Sequence, residues 1–187
     1  MLEIKLFVLL LITVFLFRIV LHQGYVRSFF LVIAGMVLGF GVQLLLGREL
    51  NAYTTNVHMY LKGVSLAVIL TWGIGLSAIY SVHMNLVLRF QLRPNLILHT
   101  LVSIALIILI EFLGSNLLQM KLHNYTVKYQ SIFPALNSMH APLWLYAYYY
   151  LVSIVFYFAL KWSGAEKFFL QAGATGGSSF DRDAELE

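Results

Sequence analysis

The chain has 187 residues, of which 60% are hydrophobic and 11% are charged, and its mean hydropathy is +0.84. This composition excludes an ordinary soluble domain and predicts a polytopic membrane protein. The formal net charge of +4 comes from basic residues scattered at the ends of apolar runs, which gives no support to nucleic-acid binding. The sequence has no cysteine, so disulfides, thiolate metal ligands and Cys nucleophiles are excluded.

Five apolar segments follow one another along the chain, and a span needs roughly 20 apolar residues. We therefore predict an all-α transmembrane helix bundle within residues 1–162, with about five spans at 2–21, 28–46, 61–82, 95–118 and 143–162. The first segment is too long for a signal peptide and lacks a small-residue cleavage site, so we interpret it as a span. Residues 163–187 are Gly/Ser-rich and then acidic, which predicts a surface segment and a disordered tail.

Lys and Arg are retained on the cytoplasmic side of a membrane, so their distribution predicts orientation. In a five-span arrangement, two short loops on one side carry four arginines, whereas the loops on the other side are longer, aromatic and Asn-rich. The arginines are Arg18, Arg27, Arg89 and Arg93. This pattern favours an N-terminus outside and a cytoplasmic C-terminus.

Glu111 lies inside the most apolar segment and is the only acidic residue between Glu49 and Glu166. An ionisable group inside a span costs about 2.5 kcal/mol or more and is a functional candidate by default. Helical geometry places a polar stripe of small residues within about 80° of Glu111. Its members are Thr100, Ser103, Gly114 and Ser115. Glu111 is then either a hydrogen-bonded packing residue or a catalytic or ligand-binding carboxyl group.

A second polar stripe lies on the fifth segment, where five side chains carry hydroxyls along one helical face. They are Tyr146, Tyr149, Tyr150, Ser153 and Tyr157. Phenolic hydroxyls in hydrocarbon need partners, so this face is predicted to meet the Glu111 stripe or to line a ligand cavity together with Ser115. An aromatic packing face near the membrane interface is the alternative.

Metal binding has only weak candidates in the sequence. His58, His123 and His140 fall on the predicted outer side, and imidazoles there could ligate zinc, copper or iron. None of the three has helical spacing to another ligand, so no metal site is predicted. All six histidines lie near span ends, which disfavours a bis-His haem, and the sequence identifies no cofactor.

Packing motifs accompany these polar residues. Gly35 and Gly39 form a GxxxG face in the second segment, and Ala67, Thr71 and Gly75 form a small-residue face in the third. These faces are predicted to pack against each other. The GxxxG face could equally mediate a homo-oligomer or docking into a larger membrane complex.

One pair of segments carries a family resemblance. The stretch from Glu111-Phe112-Leu113-Gly114 to Ala141-Pro142-Leu143-Trp144 resembles polytopic proteins of bacterial carotenoid and isoprenoid metabolism. The resemblance transfers no residue roles. The sequence also lacks a Walker motif, a nucleophile elbow, an HExxH pair and the acidic pair of prenyl-diphosphate chemistry, so whether the protein is an enzyme stays open.

Two hypotheses about function follow. In the first, the membrane-embedded protein binds or modifies an apolar lipid-like molecule such as an isoprenoid, carotenoid or quinone, with Glu111 as acid, base or anchor and the tyrosine face positioning the ligand. In the second, it is a non-catalytic accessory subunit of a larger membrane complex. Proton or ion conduction ranks third, because one buried acid is an incomplete relay.

Overall fold

The computed structural model describes residues 2–21, 23–47, 52–53, 59–117, 122–123, 143–165 and 167. For residues 2, 46–47, 52–53, 111, 114–117, 122–123 and 143–145 it describes the backbone only. The described part is mostly helical and contains five α-helices. They are α1 (Leu2–Val20), α2 (Tyr25–Val42), α3 (Leu66–Arg89), α4 (Leu96–Leu117) and α5 (Leu143–Trp162).

Helix α3 begins and ends later than the predicted segment 61–82. Strands β2 (Tyr60–Leu61) and β3 (Val64–Ser65) form a tight antiparallel hairpin before the helix starts. Its turn residues Lys62 and Gly63 both have positive φ, 51° and 83°, as a two-residue hairpin turn requires. Ser65 then caps the helix, because its hydroxyl accepts a hydrogen bond from the backbone N–H of Ala67 at 3.1 Å.

Two further short elements lie at the same end of the helices. Helix α2 continues into a π-helical turn, Gln43–Gly47, in which the Gln43 side chain is buried. Strand β1 (Ala52–Tyr53) pairs antiparallel with the two residues of β4 (Leu122–His123). The pairing connects the segment after α2 to the segment after α4.

Helix α3 is the central element, since it contacts each of the other four helices. Helix α1 packs on it through one stripe at helical spacing, formed by Leu6, Leu10 and Val14. This stripe meets Ala67, Leu70 and Ile74 of α3. The opposite face of α1 is apolar but exposed: Phe7, Leu11 and Phe15 expose 54%, 45% and 54% of their surface.

Glycines set the close approach of α2 to α3. A Cβ on Gly35 would lie 3.2 Å from the carbonyl oxygen of Trp72, and a Cβ on Gly39 would overlap the Trp72 side chain. The predicted GxxxG packing between these helices is therefore observed, but the partner glycine on α3 differs. Gly73 contacts α2 at Met36 and Val32, whereas the predicted Gly75 faces Ile110 of α4.

Two helical stretches in the described residues, Tyr25–Leu45 and Leu66–Arg89, are long and apolar enough to cross a membrane. The apolar stretch Leu96–Ile110 of α4 is shorter. Within the longer two, an apolar 18-residue part is 33% buried inside the protein in Tyr25–Leu45 and 72% buried in Leu66–Arg89. Their length and composition indicate membrane association, while the five-span arrangement stays a prediction.

Candidate functional site

The interface between α4 and α5 contains a closed hydrogen-bond network. Nε2 of His99 donates to the carbonyl oxygen of Ser153 at 3.2 Å and lies 3.1 Å from its hydroxyl. The Ser103 hydroxyl donates to the carbonyl oxygen of His99 at 2.7 Å and lies 2.9 Å from the Ser153 hydroxyl. Ser153 thus accepts from His99 and donates to Ser103, which returns the chain of hydrogen bonds to His99.

One turn away, a tyrosine extends this row of polar contacts. The hydroxyl of Tyr150 lies 3.0 Å from Oγ1 of Thr100. We refer to His99, Thr100, Ser103, Tyr150 and Ser153 as the polar seam. The predicted meeting of the α4 and α5 polar stripes is therefore observed at Thr100 and Ser103, while the ligand-binding role of these residues stays a prediction.

The other three tyrosines of the predicted face take different places. Tyr146 packs beside Val102 and Ile107 of α4. Tyr149 turns toward α3, where its ring stands edge-on to Trp72 at a centroid distance of 5.5 Å. Tyr157 is buried and forms part of an aromatic cluster with two histidines.

These two histidines are His83 of α3 and His99 of α4, which we call the imidazole pair. Their ring centroids are 5.1 Å apart and the ring planes cross at 78°. The Tyr157 ring lies 4.7 Å from His99 and 5.6 Å from His83. Both histidine side chains are fully buried, at 0% exposure.

Part of the hydrogen-bonding capacity of the pair is unused among the described residues. Neither ring nitrogen of His83 has a hydrogen-bond partner, and Nδ1 of His99 has none. Because a carbonyl oxygen can only accept, the contact with Ser153 assigns the proton of neutral His99 to Nε2 and leaves a lone pair on Nδ1. Leaving a buried polar group without a partner costs about 1–3 kcal/mol.

Sequence reasoning missed the imidazole pair. The sequence presents His83 and His99 only as two of six histidines near the ends of apolar segments. They meet because α3 and α4 are joined by the short connection at residues 90–95, so that positions near the junction lie at a similar depth. The short connection was the available signal, because it places the two histidines at equal depth in a helical hairpin. The sequence does not show how each helix is rotated about its axis, so it could not indicate that both rings point inward.

Several predicted site residues lie outside what the structure describes. Position 111 belongs to α4, but the side chains of Glu111 and Ser115 are not described. The same holds for the His123 side chain, and His58 and His140 lie outside the described residues altogether. In the part of the chain that is described, no group of three or more His, Cys, Asp or Glu side chains could hold a metal ion.

An apolar groove of about 390 Å³ runs along the surface between α2 and α5. Its lining consists of Phe30, Ile33, Ala34, Val37, Leu38, Phe156, Ala159, Leu160 and Ser163. A groove with almost no polar group suits hydrocarbon better than water.

Comparisons with known proteins assign no family, since no protein-family model, no curated protein and no solved structure matches the chain. The described residues define a helical protein with two helices suited to a membrane and a polar seam between two others. Its function has to be argued from the chemistry of that seam.

Proposed function

We propose that this protein is a multi-pass membrane protein, with all five helices in the bilayer, the N-terminus outside and the C-terminus cytoplasmic. The apolar outer faces of the helices support this placement. On α1, Ile4, Val8, Ile12 and Ile19 expose 57%, 49%, 47% and 53% of their surface, on the side away from α3. In water such a continuous apolar surface would favour aggregation, whereas in a bilayer it faces acyl chains.

The polar seam is the proposed binding site for the polar end of an apolar molecule such as an isoprenoid, carotenoid or quinone. The observation that carries this proposal is the row of hydroxyls and an imidazole along the α4–α5 interface. Polar groups in membrane helices are expensive and concentrate at functional sites. Small-molecule sites likewise combine apolar walls with a few polar groups that fix orientation.

Glu111 would extend the seam toward the C-terminal end of α4. The contact between Ser103 and Ser153 sets the register of the two antiparallel helices. Eight residues onward from Ser103 is position 111, and eight residues back from Ser153 is position 145, about 12 Å from the contact. The backbone position 111 therefore lies at about the depth of Tyr146, one helical turn before Tyr150.

This arrangement suggests a division of roles. Glu111 would act as the acid, base or hydrogen-bond anchor for the ligand, because it is the one carboxyl group in the segment. Tyr146 and Tyr150 would position the ligand through ring contacts and hydroxyls, whereas Tyr149, whose ring turns to α3, would not take the predicted role. Whether the bound molecule is only held or is also modified depends on the acidity of Glu111.

Purification of the full chain in mild detergent tests the proposal. An organic extract analysed by mass spectrometry should contain one apolar compound at a stoichiometry near that of the protein. Stoichiometric protein partners and no such compound would instead support an accessory subunit of a larger membrane complex.

Two substitutions of Glu111 separate its chemistry from packing. Glu111→Gln keeps the shape and most hydrogen bonds but removes the acidity, whereas Glu111→Leu removes the polar group. If Glu111 does acid-base chemistry or anchors the ligand as a carboxylate, the Gln variant should insert normally and lose the bound compound or its conversion. A Gln variant that keeps both would leave Glu111 as a packing residue, with about 0.5–2 kcal/mol lost in the Leu variant.

A further inference from the structure

We propose that the groove between α2 and α5 binds one acyl chain of an anionic phospholipid, whose head group lies against Arg27 and Lys167. The groove has a volume of about 390 Å³ and an almost entirely apolar lining. The proposal rests on the proposed placement of the helices in a bilayer. It concerns a second site, on the outer surface of the bundle, that shares no residue with the polar seam.

The first step is the direction of the groove. Contacts with α3 show that α2 runs antiparallel to it and that α5 runs parallel to it. These contacts are Gly35–Leu76 and Gly39–Trp72 between α2 and α3, and Tyr148–Trp72 and Phe156–Tyr80 between α5 and α3. The start of α2 therefore lies beside the end of α5, and one end of the groove lies there, at Phe30 and Ser163.

The second step is the length of the groove. Its α2 wall extends from Phe30 to Leu38, which is about 12 Å at 1.5 Å per residue. One half of the hydrocarbon core of a bilayer is about 15 Å thick. Arg27 precedes Phe30 by about one turn, and Trp162 is exposed at the end of α5. Arg and Trp are typical of the membrane surface, so the groove has the length and direction of an acyl chain in one leaflet.

The third step is the position of the cations at the surface end. Arg27 is half-buried on the groove side of α2, since Phe30 and Leu38 of the lining follow it within about 60° around the helix. Lys167 is exposed after the end of α5, four residues beyond Ser163 of the lining. Both helices that form the groove therefore carry a basic residue at the same end of it.

The described side chains give this end of the bundle a positive charge. Among them Glu3 is the one acidic side chain, and it lies at the opposite end, where its Oε1 accepts a hydrogen bond from the N–H of Met59 at 3.0 Å. Further basic residues lie at the same end as Arg27. They are Arg18, Arg89, Arg93 and Lys161. A cationic end attracts the anionic lipids of the cytoplasmic leaflet, which is the side that the proposed topology assigns to it.

The fourth step distinguishes a lipid from a second copy of this chain. Membrane helices approach each other closely through small residues, and α3 already occupies the glycine face of α2, where Gly39 meets Trp72. The exposed lining residues of the groove on α2 are instead bulky, namely Phe30, Ile33 and Val37. A narrow channel between bulky side chains fits a flexible hydrocarbon chain better than a helix about 10–12 Å in diameter.

The test is native mass spectrometry of the detergent-purified full chain, titrated with phosphatidylglycerol or with phosphatidylcholine of the same acyl chains. One phosphatidylglycerol per chain should bind at least tenfold more tightly than phosphatidylcholine, because each basic residue near the head group contributes about fivefold. Arg27→Gln combined with Lys167→Gln should remove this preference. Arg89→Gln combined with Arg93→Gln is the matched control, since it removes the same charge from the same end at the α3–α4 connection, and it should keep the preference.

A second pair of variants tests the groove itself. Ala159 lines the groove and is exposed, so Ala159→Trp should fill the channel and lower the affinity for both lipids at least tenfold. Leu151 is exposed on α5 outside the lining. Leu151→Trp is therefore the control, and it should bind both lipids as the native chain does.

Equal affinity of the native chain for the two lipids would overturn the proposal, as would an equal loss of preference in the two double variants. A native dimer that Ala159→Trp dissociates without a change in lipid binding would also overturn it, because the groove would then be an interface between copies. The native chain and Ala159→Trp decide the case even if a double variant fails to fold. The compound proposed for the polar seam is measured separately in the organic extract, so either proposal can fail without the other.

Discussion

The close packing of α2 on α3 can be tested with two glycines of the same helix. At Gly39 an added Cβ would overlap Cβ and Cγ of Trp72 and lie 2.7 Å from its Cδ1. Trp72 cannot easily move away, because the rings of Tyr148 and Tyr149 stand edge-on to it at 5.9 and 5.5 Å. At Gly41, by contrast, an added Cβ meets nothing within 4 Å.

Gly39→Ala should therefore destabilise the protein by about 1–3 kcal/mol, the usual cost of overpacking. For a chain of this size each kcal/mol changes the melting temperature by about 2–4 °C, so a decrease of about 2 to 12 °C is expected. Gly41→Ala should leave the melting temperature unchanged or raise it slightly, because alanine favours the helix by up to about 1 kcal/mol. Thermal unfolding in detergent, followed by tryptophan fluorescence, measures both. Equal melting temperatures for the two variants would refute the described approach of α2 to Trp72.

Two further predictions concern topology and the seam. A reporter fused after Glu187 should be cytoplasmic, and labels at Asn56 or Asn124 should react from outside; an external C-terminus would contradict the five-span arrangement. Tyr150→Phe should cost about 0.5–1.5 kcal/mol by removing the hydrogen bond to the α4 threonine, whereas Tyr25→Phe, at a ring that is 49% exposed, should be neutral. Thermal unfolding of both variants in detergent measures the difference, and equal stability would contradict the hydrogen bond between Tyr150 and Thr100.

The helices were largely predictable because long apolar segments specify them strongly. The start of α3 was not, since residues 61–65 were predicted as part of the apolar segment 61–82, whereas the helix begins at Leu66. The positive φ of Lys62 and Gly63, together with the Ser65 cap, separates them from the helix. Local turn chemistry there outweighs the hydrophobic pattern.

The site was predictable only as far as helical faces allow. Periodicity placed Thr100 and Ser103 on one face and Tyr150 and Ser153 on another, and these two faces meet. The periodicity of α4 and α5 does not show how these helices are rotated relative to α3. The contact of His83 with His99 of the seam was therefore missed. It also assigned one face to Tyr149, whose ring turns to α3 instead.

Helices α4 and α5 meet through the polar seam in one register, and a pair of engineered cysteines tests this register directly. The native chain has no cysteine, so an engineered pair is unambiguous. Ser103→Cys with Ser153→Cys replaces two hydroxyls that lie 2.9 Å apart, close enough for a disulfide after a small adjustment. Ser103→Cys with Leu151→Cys is the matched control, because Leu151 is 60% exposed on the other side of α5.

The measurement is the number of free thiols per chain after mild oxidation in membranes. We expect the Ser103/Ser153 pair to lose both thiols within one chain and the Ser103/Leu151 pair to keep them. Free thiols in the first pair, or equal cross-linking of both pairs, would contradict the register and with it the proposed site.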